Sequence, residues 1–331
     1  MGAFGTIFPS SSCTTTIHLL ILLVLILIQA PASTLAQLQD EEMAAEAKAA
    51  DAANRRWAHL PRSDVKLVEF PLNLEYLECE YFLWGSMGKG MDVVAPELVG
   101  GGPPPIGAME ANLDNFTRDI IEQFALQEVG HVRAIKSTVK GFPRPQLDLS
   151  RSNFAKIMDQ AFGQQLEPPF DPYANSINYL ISSYVIPYVG LTDYVGANPR
   201  LKSPRSKRLV AGLLAVESGQ DAIIRALLYQ EAEMEVAPYN ITVAEFTSRI
   251  SELRNELGRD GIKDEGIIVN PALGAEGKIE GNVIAGNEYS LAYMRTPQEI
   301  LRIVCGTGSE REPGGFYPEG ASGSIAGSYL R

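Results

Sequence analysis

Histidine is scarce in this chain: there are three among 331 residues, and only His59 and His131 lie beyond the first thirty-six. Cysteine is equally rare, at Cys13, Cys79 and Cys305. So few of each exclude a Ser-His-Asp or Cys-His catalytic set and a disulfide scaffold. Cys13 falls in the expected signal peptide, which leaves Cys79 and Cys305 as one conceivable bridge; a buried free thiol at Cys79 is the other reading. Basic residues are in deficit too, 28 Lys and Arg against 40 Asp and Glu, a formal net charge of −12. An acidic chain without a basic stripe argues against nucleic acid or an anionic membrane as partner. Gly100-Gly101-Gly102 is followed by no Gly-Lys-Ser/Thr, so it reads as loop rather than phosphate cradle.

Charge of either sign is missing altogether from residues 1–36. Ile17 to Ile28 is apolar except for His18, too short to span a bilayer comfortably and suited to the h-region of a signal peptide. Ala30-Pro31-Ala32 and Thr34-Leu35-Ala36 are candidate cleavage motifs. The expectation is a secreted, extracellular (apoplastic) protein, with the vacuole as an alternative and no stable membrane insertion after signal removal. A retained signal anchor is the competing reading. Asn115-Phe116-Thr117 and Asn240-Ile241-Thr242 match the glycosylation pattern.

Beyond an acidic, Ala-rich leader at 37–62, apolar residues recur with helical period. Asp64 to Gly88 forms a first helix that is apolar around most of its circumference. Lys66, Glu69, Asn73 and Glu80 make its polar stripe, with Glu80 expected in solvent, while Glu75 and Glu78 lie away from that stripe. Ala108 to Val139 forms a second helix, with Leu113, Phe116, Ile120, Phe124 and Ile135 on its core face. Glu128 and His131 fall in that register, about 60° apart round the helix, near enough to share one ion. A buried carboxylate must be compensated, by a cation or by a hydrogen-bonded polar partner. The Pro-rich stretch 140–174, with a short helix from Asn153 to Phe162, is a long connection. Asn175 to Ala197 is a third helix, kinked at Pro187. Ser206 to Val236 is a fourth, in which Glu217-Ser218-Gly219-Gln220 mirrors Glu128-Val129-Gly130-His131.

Such a set of long helices, with one long crossover between the second and third, predicts an all-α ferritin-like four-helix bundle over 63–236. Residues 237–331 form an irregular C-terminal extension with short helices that packs on it. Capping boxes at Thr242-Glu245 and Thr296-Glu299 start two of those helices, and Ile267 to Val269 is a short-strand candidate.

Leu72-Asn73-Leu74-Glu75-Tyr76-Leu77-Glu78, Gln127-Glu128-Val129-Gly130-His131, Gly190-Leu191-Thr192-Asp193-Tyr194 and Val216-Glu217-Ser218-Gly219-Gln220 resemble the plant desiccation-related proteins of the ferritin-like superfamily. Arg295-Thr296-Pro297-Gln298-Glu299 and Gly314-Gly315-Phe316-Tyr317-Pro318 extend that likeness over roughly 60–325. The resemblance implies a protein that accumulates under water deficit and protects cell-wall or protein clients. It also implies a metal site drawn from Glu75 or Glu78, Glu128, His131, Glu217 and Gln220. A Gln stands where the superfamily pattern has a second His, and Asp193 would have to replace the acid wanted before the Gly-x-Thr stretch of the third helix. Gln is a weak neutral ligand. A single Fe, Mn or Zn ion, or none, is therefore expected rather than a full di-iron centre. A di-metal oxidoreductase acting on peroxide or Fe(II) is the alternative function. Oligomeric state is not legible in the chain.

Overall fold

The structure, a computed structural model, describes residues 60–330. The expected signal peptide and nearly all of the acidic leader therefore lie outside the described residues. Helices α1 (Arg62–Glu69) and α2 (Leu72–Met87) replace the single first helix, because Pro71 carries no backbone donor and the chain breaks at Phe70-Pro71. Two short turns follow, α3 (Met91–Val94) and α4 (Pro96–Val99). Then come α5 (Asn115–Thr138), α6 (Arg151–Phe162), α7 (Ser176–Ser183), α8 (Pro187–Ala197) and α9 (Pro204–Gln230). A two-residue hairpin pairs β1 (Glu235–Val236) with β2 (Ile241–Thr242), ahead of α10 (Val243–Gly258), α11 (Pro297–Val304) and α12 (Gly323–Tyr329).

Side-chain contacts give the helix directions. Glu75 meets His131, Phe82 meets Phe124 and Arg118 reaches the Ser86 carbonyl, so α2 and α5 run antiparallel. Tyr179 reaches the Tyr81 carbonyl and Tyr194 reaches Glu75, so the α7–α8 pair is antiparallel to α2 and hence parallel to α5. Gln220 meets Glu128 while Glu217 meets His131, which sets α9 antiparallel to α5. Parallel second and third helices require the long crossover that carries α6. The fold is the all-α ferritin-like bundle. Gly85 permits the close approach of α2 and α7, since a Cβ there would lie 2.1 Å from Tyr179 Oη.

Several boundaries differ from the sequence expectation. Asp114 caps α5 by accepting from the Phe116 and Thr117 amides, so the second helix begins seven residues later than Ala108. Phe116 points outward, 64% exposed, and Ile121 takes the core position. Pro187 starts α8 at its first turn, where a missing N–H costs nothing, so the third helix is broken rather than kinked. The fourth helix stops at Gln230, and Val236 belongs to the hairpin. Ile268 makes only an isolated bridge to Gly281. The Thr296–Glu299 capping box is present on both sides. Cys79 and Cys305 are both free and buried. Among the described residues no helix is long and apolar enough to cross a membrane.

Half of the polar stripe, Asn73 and Glu80 on α2, is enclosed. Asn73 accepts from the Ser322 amide at 2.8 Å and donates to its carbonyl at 3.0 Å, and Tyr317 Oη donates to the Asn73 carbonyl at 2.9 Å. Glu80, expected in water, is fully buried against Arg144, whose other terminal nitrogen lies 2.9 Å from Asp92. Arg144 sits in the crossover, far along the chain, so no local spacing announces the pair. Removing one member of a buried ion pair strands the other. Glu80→Ala is expected to lower unfolding free energy by roughly 3–5 kcal/mol. Lys66→Ala, on the same stripe but exposed, should stay within about 0.5 kcal/mol. Urea denaturation of the two variants distinguishes an enclosed stripe from a solvated one, which would leave both near wild type.

Candidate metal centre

Four helices each turn side chains toward one point in the bundle. From α5, Glu128 and His131 project one turn apart; α2 supplies Glu75 and Glu78, and α9 supplies Glu217 and Gln220. All four glutamates are at most 1% exposed, and His131 is 8% exposed. Ligand atoms of Glu75, Glu128, His131 and Glu217 lie within 4.8 Å of one another. His131 Nδ1 stands 3.2 Å from Glu75 Oε2, 3.2 Å from Glu128 Oε2 and 3.4 Å from Glu217 Oε1. Only the Glu128 contact has hydrogen-bond geometry, so Glu75 Oε2 and Glu217 Oε1 face the ring without a donated proton.

Around this group the remaining polar atoms are partly held. Gln220 Nε2 donates to Glu128 Oε1 at 2.6 Å and to Gln127 Oε1 at 3.0 Å. Gln220 thus orients Glu128, and its own amide oxygen has no hydrogen-bond partner. Tyr194 Oη, on α8, donates to Glu75 Oε1. Neither oxygen of Glu78 has a hydrogen-bond donor. Gly190 on α8 lies alongside: a Cβ there would stand 3.1 Å from Glu78 Oε1 and 3.3 Å from Glu217 Oε2.

The third-helix contribution departs from expectation. Asp193 is buried but lies outside the gathered group; burial pushes its carboxyl up to about 8, opposed by Arg200. The α8 residues that reach the site are Gly190 and Tyr194, four apart and so on one helix face. The signal in the chain is that Gly-x-x-x-Tyr step, which brings a phenol to the site in place of the expected acid.

Electrostatically the cluster is anionic and starved of water. Burial pushes the Glu217 carboxyl up to about 7, reinforced by Glu128 and opposed by His131. Glu75 is driven upward by burial, with His131 pulling the other way. For Glu78 burial and then Glu217, Glu128 and Glu75 all act upward. Burial opposes the charged form of His131, yet Glu75 and Glu128 outweigh it and keep the imidazole protonated well above its ordinary 6.5. Unpartnered carboxylate oxygens beside one imidazole are the donor set of a divalent cation. The residues fit such an ion.

Comparison with known proteins agrees with this architecture. The ferritin-like domain family model matches residues 63–230. The chain is 62% identical to the desiccation-related protein PCC13-62 of Craterostigma plantagineum over 271 residues, 81% of this chain and 87% of that one. It is 58% identical to the ferritin-like catalase Nec2 of Nesocodon mauritianus over 268 residues, 81% of this chain and 86% of the relative. No solved structure matches the chain.

These shifts set a pH dependence for the cation-free protein. Glu217 titrates at about 7 in the fold against an ordinary 4.5, so folding favours its neutral form. That stability is present below the lower value and is lost as pH rises through the upper one. Glu75 and Glu78 shift the same way, as do Asp221, to about 6, and Asp193, to about 8. The contribution of His131 is complete below 6.5 and wanes above it. The thermal midpoint of cation-free protein should therefore fall between about pH 5 and about pH 8. Calorimetry across that range checks it; a midpoint climbing toward pH 8 would contradict burial of the carboxyls.

Proposed function

Since the chain belongs to the ferritin-like protein family, we propose that it is a desiccation-related protective protein whose bundle is locked by a cation held among Glu75, Glu128, His131 and Glu217. The observation that carries this reading is the 62% identity to a desiccation-related protein across most of both chains. A cation that binds the folded state and not the unfolded chain adds stability by mass action. When bound, an Fe, Mn or Zn ion supplies the positive charge that these carboxylates otherwise lack. His131 contributes the one strong nitrogen donor, Tyr194 keeps Glu75 turned, and Gln220 keeps Glu128 turned. The acidic composition, a formal −12 over the chain, favours a dispersed, hydrated protein as water is withdrawn. Export through the secretory pathway to the apoplast is part of the proposal, and amino-terminal sequencing of the protein from a eukaryotic secretory host tests it.

A second reading follows from the same donor set. One imidazole among three carboxylates can also support redox turnover of peroxide or Fe(II), and a relative at 58% identity is named a ferritin-like catalase. A drying assay with a labile client enzyme separates the two. Wild-type protein is expected to preserve client activity equally whether or not it consumes peroxide. Protection that vanishes together with peroxide consumption, on adding a chelator, would transfer the function to the redox reading.

His131→Ala removes the one imidazole at the centre and leaves buried carboxylates facing each other. It is expected to cost roughly 1–3 kcal/mol without any cation and to abolish the rise in thermal midpoint on adding Mn2+ or Zn2+. Glu128→Ala should do the same, because Gln220 Nε2 loses the 2.6 Å acceptor that this carboxylate provides. Thermal denaturation with and without each ion reads both effects.

A further inference from the structure

Helix α9 turns Glu217 and Gln220 inward, and its outer side carries a feature that the bundle does not use. Gly212, Ala215, Gly219, Ile223, Ala226 and Tyr229 all face solvent, and their steps of three and four make one continuous stripe. At 1.5 Å per residue the stripe is roughly 25 Å long. Ile223 and Tyr229 are 42% and 41% exposed. The charged residues within this span, Glu217, Asp221 and Arg225, are all buried, so no charge interrupts the outer face in a chain of formal −12. Two of the six are glycines, the weakest helix former after proline. A close approach explains Gly85, but a Cβ at Gly212 or Gly219 would meet no atom within 4 Å. Nothing among the described residues therefore requires glycine at either position, whereas a backbone approaching from outside would.

The two ends of α9 are charged, with opposite sign. Lys207 and Arg208 lie near its start, while Glu231, Glu233 and Glu235 follow its end, all five outside any ion pair among the described residues. That order opposes the helix macrodipole, which favours acids at the amino end and bases at the carboxyl end. We infer that this face docks a second copy of the chain, the two α9 helices packing antiparallel about a two-fold axis at Gly219. Such a contact matches each residue with the one equally far along on the other side of the axis. Ile223 then meets the second copy's Ala215, Ala226 meets its Gly212, and glycine faces glycine at the axis. Lys207 and Glu231 are also equally far from Gly219, so each copy's lysine comes beside the other's glutamate. The acids thereby reach the amino end that the macrodipole makes positive. A parallel pair would instead set like charges together at both ends. A lipid surface or an unfolded client offers no such matched order of charge along α9.

Sedimentation of the intact chain over a range of concentrations reads the association. Wild type is expected to sediment at twice the mass of one chain. Gly219→Glu sets two carboxylates against each other at the axis and should weaken the dimer by roughly 100-fold or more. Its circular dichroism should stay that of wild type, because the position is open. Lys207→Glu and Glu231→Lys should each weaken the dimer by roughly tenfold, and the two changes together should restore it, which only the antiparallel pairing gives. Wild type that stays a single chain at every concentration would overturn the inference. So would flotation of that single chain with phosphatidylcholine vesicles, or its capture of a heat-unfolded client enzyme, where Gly219→Glu abolishes either one; the face would then belong to a membrane or a client. A dimer indifferent to Gly219→Glu would place the contact elsewhere and overturn it as well. A dimer lost in Gly219→Glu, but weakened rather than restored by the double reversal, would overturn the antiparallel arrangement.

Discussion

Four carboxyl groups share the interior of an apolar bundle with a single imidazole, and the solvation they have surrendered is the constraint around which the structure is arranged. Stripping water from a carboxylate costs several kcal/mol unless charge or hydrogen bonds replace it. Only part of that replacement comes from neighbouring side chains. His131 Nδ1 faces three carboxylates, Gln220 braces Glu128, and Tyr194 braces Glu75. What is left without a hydrogen-bond partner lies on Glu75, Glu78, Glu217 and the amide oxygen of Gln220. The antiparallel and parallel relations of the helices follow, since only that arrangement brings residues of α2, α5, α8 and α9 to one level.

A second buried network ties the irregular extension to the bundle. Arg225 donates to the Asn282, Val283, Glu265 and Gly266 carbonyls, and Arg254 pairs with Asp264. Both guanidinium groups lie over the Tyr184 ring, at 5.2 and 4.6 Å from its centroid. Tyr184 and Tyr188 add hydroxyl donors to the Glu265 and Lys263 carbonyls. A Gly-rich stretch with little regular structure is thereby held by Tyr184, between α7 and α8, and by side chains from α8, α9 and α10. Several of its backbone carbonyls accept from Arg225, Tyr184 and Tyr188 rather than from a long ladder.

What the chain disclosed in advance was what repeats locally. The three-and-four spacing that carries Glu128 and His131, and its echo at Glu217 and Gln220, places those residues on inward faces, and the structure brings them together. The long crossover and the Thr296 cap were legible for the same reason: loop length and capping chemistry act over a few residues. Features set by distant partners were not. Glu80 reads as solvated because Arg144, which encloses it, is remote in sequence, and nothing near Asn73 announces Ser322. Phe116 read as core because its spacing is helical, but Asp114 fixes where the helix starts. The choice between Glu75 and Glu78 depends on what stands opposite, Tyr194 for one and Gly190 for the other, and no periodicity on α2 contains that information.

The fastening of Asn73 by Tyr317 and Ser322 has a consequence for assembly. Contacts between segments some 249 residues apart close late, because a long stretch of chain must first be brought to order. During synthesis α2 leaves the ribosome before Tyr317 and Ser322, so its Asn73 carbonyl and side-chain oxygen wait for partners some 244 and 249 residues further on. The later segment therefore works as a clasp, completing a helix whose own residues were made some 249 positions earlier.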